Sequence, residues 1–306
     1  MRRLVLALFV LAVFGALGFW FLTSPDRQSA GLEPVPDAQA DLENGRVLFF
    51  AGGCISCHAV PNDADKTRLG GGYPLRSPFG TFYVPNISPH PRDGIGSWTL
   101  AQFVRAMRDG VSPDGRHYYP AFPYTSYRRM TASDLRDLFA YLRTLPPVEG
   151  RIRDHDLPFP FNVRRGLGLW KLAFLDGQVF APDPSKSGPW NRGAYLVEGP
   201  GHCAECHSPR SIFGAIPEAE RFSGGSNPEG EGWVPNITPH ETGLKDWSAR
   251  DVQELLSSGM TPDGDFVGST MAAVVARISQ IPEADRAAIA EYVKSLPPRE
   301  GRKGTQ

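Results

Sequence analysis

Cysteine and methionine are both scarce in this 306-residue chain, four of the first and five of the second, and neither sign of charge prevails, the formal net charge being −1. A balance so close to neutral, with a pI near 6.7, provides no basic stripe to meet a phosphate backbone and excludes nucleic acid as the partner. Disulfides are excluded as well, because all four cysteines fall within two short stretches, Cys54-Ile-Ser-Cys57-His58 and Cys203-Ala-Glu-Cys206-His207. The small number of methionines makes elimination feasible wherever a thioether sulfur is required.

Two thiols three residues apart, followed at once by an imidazole, can clamp a haem. The thiols add across the vinyl groups as thioethers, and the adjacent histidine ligates iron from one side. A thioredoxin-like redox dithiol needs no histidine after its second cysteine. A structural zinc site keeps its ligand pairs close in sequence, whereas 149 residues separate Cys54 from Cys203. Repetition of the whole device predicts two covalently attached haem c groups, with Cys54, Cys57, Cys203 and Cys206 holding them and His58 and His207 facing the irons.

Ahead of the first pentad, Arg2 and Arg3 precede an unbroken apolar run from Leu4 to Leu22, nineteen residues ending in Phe19, Trp20 and Phe21. That length spans a bilayer, with the arginines holding the near end in the cytoplasm and the aromatic cluster suiting the opposite headgroups. A signal peptide is the rival reading. Its apolar core is usually shorter, and Ala38-Gln39-Ala40, the one Ala-x-Ala candidate, lies far beyond the run, so an uncleaved anchor is expected. Residues 23–40, rich in Pro, Ala, Gly and Asp, read as a tether that gives the rest reach above the membrane.

A helix from Asp41 to Gly52 should deliver Cys54, and its counterpart from Arg192 to Glu198 should deliver Cys203. Beyond each pentad the same short sentence recurs, Val84-Pro-Asn86-Ile-Ser-Pro-His90 and Val234-Pro-Asn236-Ile-Thr-Pro-His240, which marks an internal duplication. Trp98 and Trp247 follow, each opening a helix with a capping pair, Thr99 with Gln102 and Ser248 with Asp251, and each helix stops at a glycine, Gly110 or Gly259. Each repeat closes with another helix, Thr131 to Leu145 and Pro282 to Leu296. The connector between repeats contains an apolar patch from Leu167 to Leu175, read as a packing helix with a partner or membrane contact as the sharper alternative. His90 and His240 should serve hydrogen bonding in their loops. For Asn86, Asn236 and the two tryptophans, bonds to haem propionates compete with capping and core roles.

The far side of each iron separates an electron carrier from an enzyme, because methionine there favours transfer and an open position permits chemistry. Met1 begins the chain, Met107 lies on an apolar stripe whose counterpart is Leu256, and Met260 sits in a turn. Met271, eight residues after Asp263 on the loop between the last two helices, is the expected ligand of the second haem. Eight residues after Asp114 stands Phe122, which cannot ligate iron. The first haem is therefore given Met130, further along the same loop, with His117 or an open site as the alternatives.

In these pentads, in PNISPHP and PNITPHE with their tryptophans, in PAFPYTSY and in WNRGAYLVEGPGHCAECH, the chain resembles the class I c-type cytochromes. More narrowly, it is similar to the cytochrome c subunits of membrane-bound alcohol and gluconate dehydrogenases. The resemblance implies compact helical haem domains, histidine at His58 and His207, distal methionine, and electron transfer outside the cytoplasmic membrane. Those subunits usually carry three haems where this chain has two pentads, and their first-domain loop commonly reads PAMPY where this one has Phe122.

The expected architecture is all-α: an anchor over 1–22, the tether, tandem cytochrome c domains over 41–147 and 187–298 joined by a connector over 148–186, and a tail over 299–306. The expected function is that of a single-pass protein of the inner membrane, its two haems on the periplasmic side. It would carry electrons from a periplasmic or membrane-bound dehydrogenase towards quinone or a terminal oxidase, with no catalytic residue of its own. The alternative is a dihaem enzyme, a peroxidase or sulfur-compound oxidoreductase, kept in play by Phe122.

Overall fold

The computed structural model describes residues 1–25, 38–228 and 232–301. Helix α1 (Arg2–Leu22) is a single apolar rod with no buried residue, long and apolar enough to cross a membrane. After it come α2 (Leu42–Ala51), the pentad turn α3 (Cys54–His58), a hairpin of β1 (Pro74–Ser77) and β2 (Gly80–Tyr83), α4 (Leu100–Asp109), the short α5 (Tyr124–Tyr127) and α6 (Ala132–Leu142). The connector folds as α7 (Leu167–Phe174). The order then repeats: α8 (Gly188–Glu198), the pentad turn α9 (Ala204–His207), a two-residue hairpin of β3 (Gly225–Ser226) and β4 (Trp233–Val234), α10 (Ala249–Ser258), α11 (Ser269–Ile278) and α12 (Glu283–Lys294).

Local chemistry sets these boundaries. Asp41 caps α2 by accepting from the backbone of Glu43 and Asn44 at 2.9 and 3.0 Å. Thr99 with Gln102, and Ser248 with Asp251, form the reciprocal pairs that the sequence predicts for α4 and α10. Gly110 and Gly259 end those helices at φ 59° and 84°, a conformation that side-chain-bearing residues resist. The helix before the second pentad begins earlier than the expected Arg192, because Ser187 caps it and Pro189 fits its first turn.

In each half the helix ahead of the pentad crosses the last helix, α2 on α6 and α8 on α12. Glycine makes both crossings possible. A Cβ on Gly45 would collide with the Asp137 carbonyl, and one on Gly193 with the Ala288 carbonyl. Apolar side chains then fill two clusters. Leu48, Phe49, Phe103, Val104, Leu135 and Leu138 belong to the first; Leu196, Val197, Val252, Ile289 and Val293 belong to the second. Helix α2 serves both, since Val47 and Ala51 sit in the second cluster while Phe50 packs against each.

Two further features differ from expectation. The segment containing Met271 was expected as a loop and is the ten-residue helix α11, which buries Val275 and Ile278. Thr23 was expected to open a tether and is instead wholly buried at the foot of α1. His117 Nε2 donates to the Thr23 carbonyl at 2.9 Å, and Arg165 donates to Thr23 Oγ1 at 2.9 Å and to the Trp20 carbonyl at 2.7 Å. The membrane-length helix therefore ends against folded protein; most of the expected tether, residues 26–37, lies outside the described residues.

Candidate haem sites

Each pentad is one turn of helix entered from a left-handed residue. Gly53 has φ 57° before Cys54, and His202, at φ 39°, occupies the same place before Cys203. The turn sets both cysteines and the histidine on one half-buried surface. Burial pushes the thiols of Cys54 and Cys203 up to about 12, so they rest as thiols and not as nucleophilic thiolates. Among the described residues, no three His, Cys, Asp or Glu side chains converge as a metal-ion site. Neither a redox dithiol nor a zinc centre is favoured by these surroundings.

The two histidines are oriented identically. His58 Nδ1 lies 2.8 Å from the Pro85 carbonyl, and His207 Nδ1 lies 2.8 Å from the Pro235 carbonyl. A carbonyl oxygen only accepts, so Nδ1 must carry the proton, which leaves the Nε2 lone pair free for a metal. Burial, opposed by the bond to Pro85, pulls His58 down to about 4, and burial lowers His207 likewise, so both rings are neutral at pH 7. The donor set thus fits haem c: two thiols for thioethers beside one oriented, neutral imidazole, twice over. The prolines are those of the duplicated Val-Pro-Asn-Ile sentences. Their carbonyl role is the functional element that sequence reasoning missed, although the duplication itself was the available signal.

Neighbouring duplicated positions do structural work in these loops. Asn86 donates Nδ2 to the carbonyls of Val148 at 2.7 Å and Gly150 at 3.2 Å and accepts from the Ser88 backbone, while Asn236 donates to Arg299 and accepts from Thr238. Both asparagines therefore tie the segment after the last helix onto the proline loop. His90 and His240 make local loop bonds, to the backbones of Asp93 and Thr242. His155 accepts from Tyr83 N at 3.1 Å, edge-on to Phe82 and Tyr119.

Of the two methionines expected as ligands, Met271 is half-buried against the second cluster. Met130 has no exposure and joins the first cluster immediately ahead of Thr131, the cap of α6. Ile281 holds the corresponding position before Pro282, the cap of α12. The matched bridges Val111 to His117 and Met260 to Phe266 keep the two loops in one register, so Phe122 corresponds to Met271. His117, the nitrogen alternative, is buried with Nε2 committed to Thr23.

The first half's distal loop also touches the second pentad. Thr125 and Ser126 donate to Glu205 at 2.8 and 3.1 Å, and Arg210 closes the same carboxylate at 2.6 Å. Burial alone would raise Glu205, but Arg210 and these hydrogen bonds hold its carboxyl below the usual range. Tyr127 stands edge-on to His202 at 5.6 Å and packs with Phe122.

Comparison with known proteins adds the following. Residues 42–146 match the family described as cytochrome c. A protein of Cereibacter sphaeroides named "Diheme cytochrome c-type" is 47% identical over 298 residues, covering 97% of this chain and 98% of that one. The fructose dehydrogenase cytochrome subunit of Gluconobacter japonicus is 37% identical, over 87% of this chain and 55% of its own length. The cytochrome c subunit of a quinone alcohol dehydrogenase from Gluconacetobacter polyoxogenes is also 37% identical, over 87% of this chain and 58% of its own. This chain therefore spans little more than half the length of those dehydrogenase subunits.

Proposed function

The chain belongs to the c-type cytochromes, and from that premise we propose that it is an electron carrier that relays single electrons through two covalently attached haems. Two tandem cytochrome c domains, over 41–147 and 187–298, would each hold one. The observation that carries this reading is the paired geometry of His58 on Pro85 and His207 on Pro235, each beside two thiols. The match to a full-length relative named a diheme cytochrome supports it.

In this reading Cys54 and Cys57, and Cys203 and Cys206, form the thioethers; His58 and His207 ligate from the proximal side. Met271 is proposed as the second distal ligand and Met130 as the first. Bound haem supplies a one-electron couple at each site. The protein orients each imidazole through a proline carbonyl, keeps the rings neutral, and holds both sites in apolar surroundings. A second reading of the first site, with no methionine on iron, is favoured by the correspondence of Met130 with Ile281.

We propose α1 as an uncleaved single-pass anchor of the inner membrane, with both haems on the periplasmic side. A removable leader gains nothing from packing, yet the foot of α1 is fastened by Arg165 and His117. The donor would be a periplasmic or membrane-bound dehydrogenase, in keeping with the names of the relatives, and the acceptor quinone or a terminal oxidase.

The test is a haem count and redox titration on the matured protein, beside Cys57→Ser and Cys206→Ser. We expect two haems per chain, one in each variant, reversible one-electron reduction at both sites, and no turnover of peroxide. A single haem in the unaltered protein, or sustained peroxidase turnover, overturns the proposal.

A further inference from the structure

The apolar connector patch singled out in the sequence finds no use in haem attachment, yet its place in the fold is specific. Helix α7 carries Gly168 and Lys171 on its inner face. Gly168 lies against Thr23 so closely that a Cβ would come within 2.5 Å of the Thr23 Cα. Lys171, almost fully buried, donates to the carbonyls of Asp109 at 2.5 Å and Gly110 at 2.7 Å, which fixes α7 to the end of α4. The opposite face presents Leu169 and Leu172, 45% and 54% exposed.

Helix α1 sets the depth of this element. Its 21 residues rise about 31 Å at 1.5 Å each, the thickness of a bilayer's hydrocarbon core, so its foot at Thr23 marks the boundary between acyl chains and headgroups. Because α7 touches that foot, it lies at the same depth. The patch extends beyond α7: Trp170 Nε1 donates to the Phe213 carbonyl at 2.8 Å, and Phe174 stacks on Phe213. Phe79 links the Gly214 loop to Phe161. Phe159, Phe161, Ile212 and Phe213 are all exposed, Ile212 to 87%. Contiguous apolar area of this kind is uncommon on a surface that faces only water. From Asn162 to Leu175 the chain has no acidic residue, and beside the buried Lys171 it carries Arg164 and Arg165, both partly exposed, which suit anionic headgroups.

We propose that α7 with the Phe161 and Phe213 loops is a second membrane contact, laid in the plane of the interface beside the anchor. Together with α1 it holds the haem-bearing body at one fixed attitude to the bilayer. This inference rests on the reading of α1 as a retained span. Two non-collinear attachments remove the swivel that a lone helix allows, so the same face of the protein always looks along the membrane.

The experiment uses the haem-loaded full chain in vesicles of phosphatidylcholine and phosphatidylglycerol. A nitroxide is placed on one introduced cysteine at a time, Leu172→Cys, Leu11→Cys in mid-anchor or Glu254→Cys on exposed α10, the native thiols being consumed as thioethers. Collision with oxygen, which concentrates in lipid, is compared with collision with a water-soluble nickel chelate. The expected result is a shift of the label at 172 towards oxygen, in the same sense as the label at 11 and opposite to that at 254. Adding Leu169→Glu should reverse the shift at 172. Water-like behaviour at 172 with a lipid-like label at 11 overturns the inference and leaves the anchor standing. Shielding of 172 from both reagents shows a protein cover and also overturns it. Water-like behaviour at both 11 and 172 removes the anchor reading and the inference together.

Discussion

Replacing Met130 by leucine separates the two roles that this side chain can fill. Met130 is completely buried, its backbone N–H donates to the Tyr127 carbonyl at 3.0 Å, and its side chain reaches the α8 terminus near Gly199. As packing, methionine to leucine conserves volume and costs under about 1.5 kcal/mol, whereas methionine to alanine leaves a cavity and costs about 2–5 kcal/mol. A change of about 1 kcal/mol moves the melting temperature of a chain of this class by about 2–4 °C, so Met130→Leu should remain folded and close to the parent. Its sulfur, however, is gone. If Met130 ligates the first iron, Met130→Leu loses half of the weak near-infrared methionine-to-iron absorption of the oxidised protein, Met271→Leu loses the other half, and the pair together lose all of it. The spectrum is recorded beside the melting curve, so that loss of ligation is distinguished from loss of fold. Full absorption in Met130→Leu, with all of it lost in Met271→Leu, refutes the ligand assignment. Met130 would then be a core residue like Ile281, and the first iron would have no methionine.

Two further outcomes follow from groups away from iron. Burial, with the charges of Lys171, Arg165 and Arg105 adding to it, holds folded His117 down to about 4 from an ordinary 6.5, so between those values the unfolded chain binds a proton that the folded chain refuses. Its contribution is complete above pH 6.5 and falls on acidification through pH 4, by about 3 kcal/mol over the whole range; denaturation midpoints at pH 7 and pH 5 should diverge less in His117→Gln, and an unchanged divergence would show that His117 does not govern it. Gly193→Ala places a methyl group against the Ala288 carbonyl at the crossing of α8 and α12; overpacking of this kind costs about 1–3 kcal/mol, and a melting temperature equal to the parent's would disprove the close crossing.

Much of the architecture is legible in the residues because its causes are local. Capping pairs, terminal glycines and pentads all act within a few positions, and each lies where the sequence places it. The failures have a physical pattern too. Helix α11 is hidden by the symmetry of the repeats: Pro120 and Pro123 keep its counterpart down to the four residues of α5, so the first half offers no helix of that length at the matching place. The spacing of Met271, Val275 and Ile278 nevertheless carried a helical period. The proline carbonyls that orient His58 and His207 were invisible for a different reason, since a backbone acceptor has no side chain to announce it. Long-range placements, such as α2 serving two clusters and Thr23 fastened by Arg165, depend on contacts for which sequence spacing offers no ruler.

The clasp of Thr125 and Ser126 on Glu205 has a bearing on how the protein is made. Glu205 lies between Cys203 and Cys206, so the first half's loop is hydrogen-bonded to a side chain of the turn that carries both thiols. Covalent attachment requires that stretch to be open to whatever delivers the porphyrin. Were haem attached at this pentad as proposed, attachment would precede docking of the first half's loop on Glu205. The clasp would then be the last joint of assembly to set.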